Sequence, residues 1–509
     1  MPKKPHAMTI PFNLGDLLDR DFEQGRTALI DLRPDAARSY TYGELDHWSG
    51  GVARYLESTG MEIGSRIAIL SANRFEHVAS YFGAMRAGFV AVPVNHKLST
   101  EAIAYVLADS QCRLAFGDAE RRALVPPGLE CIGFDDPGAG GFAASIRPTA
   151  FETVVPRPDE IARILYPSGS TGLPKGGPLS HQGQLWFLNK PFPPGAELER
   201  HIVAQPLFHM NGLLAMKYAV RTSAQLVLMP TFDARLYTEA LSRHRITSVL
   251  AVPTMFARVL TEIAGRDDID LSALKRVQLG SAPMTVAMLQ RVQQAIPQAV
   301  VIAGYGTTEA GPSPFGPHPD GRPMPPLALG VEIAQSEVRL VDGPSPDEGV
   351  LVMRNPTVMP GYLNLPDKTR QVLKDGWYYS GDVMRRDADG FYYFVGRADD
   401  MFVCAGENIY PGEVEKVLER HPGVQQAVVL PLPDEERSHV PVAFVVLRPG
   451  ASVSAAELRR HALDNGPAYQ HPRRIAFIAE MPWAGTNKID RAQLARRAAE
   501  LERAGGWAG

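Results

Sequence analysis

Apolar residues first recur at helical spacing after residue 44, where Leu45, Val52 and Leu56 share one face and Gly60 follows as a stop. Thr41 and Glu44 fit a capping box at the start of that run. The period then changes. SRIAILSAN (65–73) is a short β-rich run, RFEHVASYFGAMRAG (74–88) reads as a helix, and FVAVPVN (89–95) reads as a second strand. Strand–helix–strand order predicts a parallel sheet with a crossover helix. The same order recurs at 225–229, 236–244 and 247–252, and again at 276–280, 285–296 and 299–303. A large α/β body therefore extends to about residue 395, with no convincing sequence repeat.

The tail has its own pattern. In YPGEVEKVLERHPGV (410–424), Val414, Val417 and Leu418 lie on one helical face. QQAVVLPL and VPVAFVVL read as strands, Ser454 and Glu457 as a second capping box, and RRIAFI (473–478) as a last strand. That is a compact α/β unit of about 110 residues, large enough for its own core. The boundary falls at GRADD (396–400), dividing 1–396 from 397–509. Beyond residue 492 the chain is rich in Ala, Arg and Glu and reads as a frayed helix.

Composition narrows the function classes. The 509 residues are too many for one core; 45% are apolar and 21% charged, as in ordinary globular proteins. A formal net charge of −4 gives no field for nucleic acid. Cys112, Cys131 and Cys404 are far apart, without the spacing of a disulfide framework or a zinc site. The start, MPKKPHAMTIPFN, lacks the apolar run of a signal peptide, and no stretch approaches the ~20 apolar residues of a membrane span. A cytoplasmic enzyme, monomer or homodimer, is the expectation.

Candidate chemistry centres on YPSGSTGLPKGGPLSH (166–181). Its glycines permit close backbone approach, Ser168, Ser170 and Thr171 add hydroxyls, and Lys175 adds a point charge. It is neither a Walker A loop, since Pro174 precedes Lys175, nor a GxGxxG fingerprint. By composition alone it reads equally as an anion nest or a mobile surface loop.

The loop resembles the phosphate-binding signature of the adenylate-forming superfamily, which includes acyl-CoA synthetases, luciferases and peptide-synthetase adenylation domains. Ser168, Gly169, Ser170, Thr171, Gly172 and Lys175 match it, while Pro167 and the pair Gly177-Pro178 depart from it. GYGTTEAG (304–311), YYSGDV (378–383), GRADD and AGENIYPGEVE (405–415) match further signatures in family order, and the resemblance extends from about residue 15 to residue 495. It implies a large multi-subdomain α/β domain, a small mobile α/β domain, and an acyl-CoA synthetase that uses ATP, Mg²⁺ and coenzyme A.

The resemblance also implies roles residue by residue. Gly304, Tyr305, Gly306, Thr307 and Thr308 would hold ATP, with Tyr305 against the adenine and Thr308 at the α-phosphate; Glu309 would help hold Mg²⁺. Asp382 and Arg397 would take the ribose side, and Gly280, Ser281, Ala282 and Pro283 the adenine edge. His209 would lie over the carboxylate site, where amino-acid-activating relatives commonly carry Asp, which argues against an α-amino acid. The acid pocket would be walled by His209, Met210, Asn211, Gly212, Val252, Gly280, Gly304 and Gly311. Ala405, Gly406 and Glu407 would lie along the pantetheine arm, Arg473 or Arg474 at the CoA phosphates, and Asp399 at the hinge. Lys488 would be the catalytic lysine, with Asn487 where the family usually has Gly.

The acid is expected to be small to medium, aromatic or short branched, with or without a hydroxyl. Two alternatives stay open: an enzyme that loads a carrier-protein phosphopantetheine, and an inactive nucleotide-binding homologue. DADG (387–390) is expected to be a β-turn, because it lacks the other ligands of a calcium loop.

Overall fold

The computed structural model of the chain describes residues 11–33, 36–166, 173–190, 192–282, 284–312, 314–404, 407–434, 437–484 and 489–508. Helix Tyr42–Ser58 starts as its sequence predicts: the Thr41 hydroxyl accepts from the Glu44 N–H, and the Glu44 carboxylate accepts from the Thr41 N–H at 2.7 Å. Leu45, Val52 and Leu56 are fully buried on its inner face.

Two mainly parallel sheets build the body. The first runs Val300–Ala303, Arg276–Leu279, Ser248–Ala251, Arg200–Val203, Gln225–Leu228 and Thr27–Leu32, with Ala37–Thr41 antiparallel at the edge. The second runs Cys131–Gly133, Cys112–Gly117, Arg66–Leu70, Val90–Pro93 and Ile161–Leu165, with Gly177–Ser180 antiparallel at its edge. Helices Tyr42–Ser58, Phe75–Arg86 and Met210–Arg221 lie in one continuous core with inner-face residues of both sheets, such as Leu29, Leu226, Ile67 and Phe116. Helix Phe75–Arg86 is buried on nearly every side, which explains why its sequence is apolar without a clear stripe. Helices Ala234–Arg243, Pro253–Ile263 and Val286–Ala295 cover the other face of the first sheet.

The expected strand–helix–strand units are present, with one difference. The strands Gln225–Leu228 and Ser248–Ala251 share a sheet but are not neighbours, because Arg200–Val203 lies between them. That strand, RHIV, is too short and too polar at its start for its pattern to stand out. A second difference lies at the end of the body: Glu337–Ser345, Glu348–Arg354, Trp377–Arg386 and Tyr392–Arg397 form an antiparallel sheet rather than another α/β unit. DADG is the turn joining its last two strands; Asp387 Oδ1 accepts from the N–H groups of Asp389 and Phe391.

The next strand, Phe402–Cys404, belongs to a separate sheet with Glu407–Ile409, Val424–Asp434, Ser438–Leu447 and Arg474–Phe477. Val414 and Leu418 of helix Pro411–Glu419 are buried in that unit's own core, with Val417 packed against it. Only half of the second capping box forms. Ser454 accepts from the Glu457 N–H, but the Glu457 carboxylate lies 3.4 Å from His421 Nε2. The tail is a capped helix, Arg491–Ala504, rather than a frayed one: Asp490 accepts from Gln493 N–H, Leu494 and Ala498 are buried, and Gly505 ends it in the left-handed region. Leu494 and Ala498, at i and i+4, dock it with Leu501 packed against the same core.

Candidate active site at the carboxyl edge of the first sheet

Parallel strands present their carboxyl ends along one edge, and the loops leaving that edge gather side chains from distant parts of the chain. Strand Arg200–Val203 leads to His209, the N-cap of helix Met210–Arg221, whose ring stands edge-on to Phe208 at 4.5 Å. Strand Ser248–Ala251 leads to Val252, the N-cap of helix Pro253–Ile263. Strand Arg276–Leu279 leads to Gly280, Ser281 and Ala282, and strand Val300–Ala303 to Gly304 and Tyr305. The two-residue strands Gly306–Thr307 and Gly311–Pro312 then pair antiparallel, with Thr308 and Glu309 in the turn between them. Thr307 Oγ1 accepts from Ala310 N–H, fixing that turn.

These loops touch by backbone. A Cβ on Gly280 would stand 2.8 Å from the Gly304 carbonyl oxygen, closer than real side chains come. Ser281 sits at φ 62°, a left-handed conformation uncommon for a residue with a Cβ. Asn211 Nδ2, in the first turn of helix Met210–Arg221, is buried and has no hydrogen-bond partner among the described residues, so it is an unanswered donor.

Asp382 organises the first cluster of side chains. It lies on strand Trp377–Arg386 directly opposite Arg397 on Tyr392–Arg397. Tyr305 Oη donates to Asp382 Oδ2 at 2.6 Å, and Arg397 Nη1 donates to Asp382 Oδ1 at 3.0 Å. Ser380 Oγ accepts from the Asp382 N–H, setting the strand backbone on either side of Gly381. Arg397 also forks onto Asp399, Nε to Oδ1 at 2.8 Å and Nη2 to Oδ2 at 3.0 Å. Burial pushes Asp382 above the usual carboxylate range, and Arg397 offsets this only in part. Burial and the neighbouring Asp382 charge hold the Tyr305 hydroxyl well above its ordinary pKa, so it remains a donor. Burial works against the ionised form of Asp399 too, but the Arg397 fork prevails and holds its carboxyl below the usual range.

A second cluster joins the glycine-rich loop to the 304–311 segment. That loop connects the antiparallel strands Ile161–Leu165 and Gly177–Ser180, where Leu165 pairs with Gly177 and Ile164 with Pro178. Pro178 is tolerated because its strand is at the sheet edge. Lys175 Nζ lies 5.4 Å from the centre of the Tyr362 ring, and Tyr362 Oη donates to Glu309 Oε1 at 2.8 Å. Tyr362 escaped the sequence reading. It sits in PGYLNL, a stretch with no period and no charged residue, and nothing there marks it in a single sequence.

The structure thus brings Tyr305, Asp382, Arg397 and Asp399 into one hydrogen-bonded chain, and Lys175 and Glu309 onto one tyrosine. It does not join the expected CoA residues to either cluster. Glu407 is on strand Glu407–Ile409, Arg473 Nη1 lies 2.6 Å from His471 Nε2, and Arg474 Nε lies 3.9 Å from Glu502. Pro167, Ser168, Gly169, Ser170, Thr171, Gly172, Pro283, Ala405, Gly406, Asn487 and Lys488 lie outside the described residues. Among the described residues, no helix is long and apolar enough to cross a membrane.

Residues 20–363 match the family model described as AMP-binding enzyme, and residues 413–488 match that of the AMP-binding enzyme C-terminal domain. A feruloyl-CoA synthase from an Amycolatopsis species is 31% identical over 466 residues, covering 90% of this chain and 94% of that protein. The fatty acid–[acyl-carrier-protein] ligase ScoC of Streptomyces coeruleorubidus is 31% identical over 482 residues, covering 90% and 92%. The fold matches the crystal structure of the anthranilate CoA ligase AuaEII in complex with anthranoyl-AMP with a TM-score of 0.84 and 28% identity, over 98% of this chain and 99% of that one.

Proposed function

The chain belongs to the AMP-binding enzyme family, and from that premise we propose that it is a carboxylate–CoA ligase working through an acyl-adenylate. The observation that carries this reading is the Asp382 cluster. A buried carboxylate, an aromatic and a guanidinium meet beside the loops that end the parallel strands, which suits a nucleoside.

In the first step an oxygen of the substrate carboxylate attacks the α-phosphorus of ATP, and pyrophosphate leaves. In the second, the CoA sulfur attacks the acyl carbon, the thiol proton is lost, and AMP leaves with the oxygen that linked it to the acyl group. Charge develops on phosphoryl oxygens, so positioned donors supply most of the catalysis. Asp382 accepts from the ribose hydroxyls, Tyr305 lies along the base, Ser281, Ala282 and Pro283 meet the base edge, and Gly280 walls the acid pocket beside them. Thr308 contacts the α-phosphate. Ser168, Gly169, Ser170, Thr171, Gly172 and Lys175 hold the β- and γ-phosphates. His209 lies over the substrate carboxylate, and Lys488 bridges it to the α-phosphate.

The donor set suits Mg²⁺. Glu309 offers one carboxylate, with Oε1 engaged by Tyr362, and the described residues contain no cluster of three acidic or histidine ligands. A cation that keeps water and phosphate oxygens as its other ligands fits such a site. When bound, Mg²⁺ neutralises phosphate charge.

The domains are taken as 1–396 and 397–509, with the second rotating about Asp399 between the two steps. Asp399 is 69% exposed and lies between the last strand of the body, Tyr392–Arg397, and the first of the C-terminal sheet, Phe402–Cys404. Rotation presents Lys488 in one pose and the segment with Ala405, Gly406 and Glu407 in the other, while Arg473 or Arg474 meets the CoA phosphates. A cytoplasmic monomer or homodimer fits the composition. The acid is small to medium and aromatic or short branched, in keeping with the feruloyl and anthranilate substrates of the relatives. His209, where an α-amino acid would call for a carboxylate, supports a simple acid. The carrier-protein ligase among the relatives keeps a second acceptor in view. A panel of carboxylates assayed for pyrophosphate release, with free CoA or a holo-carrier protein, tests both points. Thioester formation with free CoA supports the proposal; thioester on the carrier alone overturns it.

A further inference from the structure

Tyr362 is the point at which three segments of the site meet. Its hydroxyl donates to Glu309 Oε1 at 2.8 Å, and its ring lies under Lys175 Nζ at 5.4 Å. The main chain around it repeats both links: Met359 N–H donates to the Glu309 carbonyl at 2.7 Å, and Leu363 N–H donates to the Gly176 carbonyl at 2.8 Å. The tyrosine is itself anchored, since its N–H donates to Thr369 Oγ1 at 2.9 Å and Thr369 in turn donates to the Leu365 carbonyl. The segment 359–365 is therefore a brace between the hairpin turn that carries Glu309 and the end of the loop that carries Lys175.

We propose that Tyr362 is a positioning residue for the metal–nucleotide complex: its hydroxyl orients the Glu309 carboxylate toward a divalent cation, and its ring aims Lys175 at the departing pyrophosphate. The proposal rests on the ligase reading above. The physical case is a division of labour within one side chain. A carboxylate held at one oxygen by a phenol presents the other oxygen in a fixed direction, which a cation with strict octahedral demands rewards. The aromatic face attracts the lysine ammonium without neutralising it, as a carboxylate partner would. Among the described residues, no other side chain hydrogen-bonds to the Glu309 carboxylate.

Two substitutions separate the functions. Tyr362→Phe keeps the ring and removes the hydroxyl; Tyr362→Leu removes both. Calorimetric binding of ATP with and without Mg²⁺ reads each directly. Tyr362→Phe is expected to weaken binding of the magnesium complex about 10- to 100-fold while metal-free ATP binds within about twofold of wild type, the loss of one hydrogen bond to a charged group. Tyr362→Leu is expected to weaken metal-free ATP binding as well. Combined with Glu309→Gln, the phenylalanine change should add less than its separate effect, because both act on one carboxylate. Unchanged binding of the magnesium complex by Tyr362→Phe overturns the proposal, as does full additivity with Glu309→Gln. So does equal weakening with and without metal, which is the signature of a merely structural tyrosine. If the wild-type protein binds the magnesium complex but forms no AMP from any acid, the ligase reading fails and this one is judged by binding alone.

Discussion

Tyr305 donates its hydroxyl hydrogen to Asp382 Oδ2 at 2.6 Å, while Arg397 holds the other carboxylate oxygen at 3.0 Å. Both oxygens of the expected ribose-binding group are therefore aimed before nucleotide arrives. Asp382→Asn keeps the size but exchanges one acceptor for a donor facing Tyr305 or Arg397. It is expected to weaken ATP binding by about 10- to 100-fold, since hydrogen bonds to a charged group are worth ~1.5–3 kcal/mol. Titration calorimetry checks it.

The same carboxylate sets a pH dependence. Burial raises the Asp382 pKa above the usual carboxylate range. ATP affinity is therefore expected to be full above the raised pKa and to fall as pH drops through it, and the Asp382→Asn profile should lack this step. Affinities measured from pH 8 downward at constant salt decide the matter.

At Gly280 the prediction concerns packing. A Cβ there would meet the Gly304 carbonyl at 2.8 Å, and the neighbouring atoms are backbone, which cannot swing aside. Gly280→Ala is expected to destabilise the fold by about 1–3 kcal/mol and to raise the acid KM more than the ATP KM. Thermal melting and initial-rate kinetics measure the two effects.

Much of this site was legible in the sequence because its residues lie in short, ordered signatures. Asp382, Arg397, Tyr305 and Asp399 were each named from such a stretch, and the fold makes them one chain of hydrogen bonds. The elements read well where periodicity was strong, as in Leu45, Val52 and Leu56. They read poorly where an element is too short to show a period: the four-residue strand Arg200–Val203, polar at its start, enters between two expected neighbours. Glu457 shows a limit of local rules, since His421 competes for the carboxylate that a capping box would use. Tyr362 shows another, since its meaning comes from Glu309 and Lys175, which are 53 and 187 positions away in the chain.

Glu419 offers a test in the C-terminal unit. It is half-buried at the end of helix Pro411–Glu419, and its carboxylate accepts from the Ala427 N–H at 3.1 Å. Burial pushes its pKa up from the usual range to about 7. The folded state then holds the proton more tightly than the unfolded chain, so its stabilising effect is full below the unfolded pKa and is lost as pH rises through about 7. Glu419→Gln, which stays neutral, is expected to be more stable than wild type at pH 8 by on the order of 1–3 kcal/mol. The difference should shrink toward pH 5 in thermal melts.

The two-step reading separates two further substitutions. Lys488→Ala is expected to abolish acyl-adenylate formation and largely spare thioester formation from supplied acyl-adenylate. Asp399→Pro is expected to do the reverse, because proline fixes φ at the hinge. Single-turnover assays of each half-reaction distinguish them; equal loss of both steps in Lys488→Ala, or normal turnover in Asp399→Pro, contradicts the alternation.

The central claim is that the acid is activated as an acyl-adenylate on the way to a CoA thioester. Its most direct test uses a substrate acid labelled with ¹⁸O in the carboxyl group, ATP, Mg²⁺ and CoA, followed by mass spectrometry of the products. The expected result is acyl-CoA with AMP carrying one ¹⁸O and pyrophosphate carrying none. Label in inorganic phosphate, or acyl-CoA formed with unlabelled AMP, would contradict it.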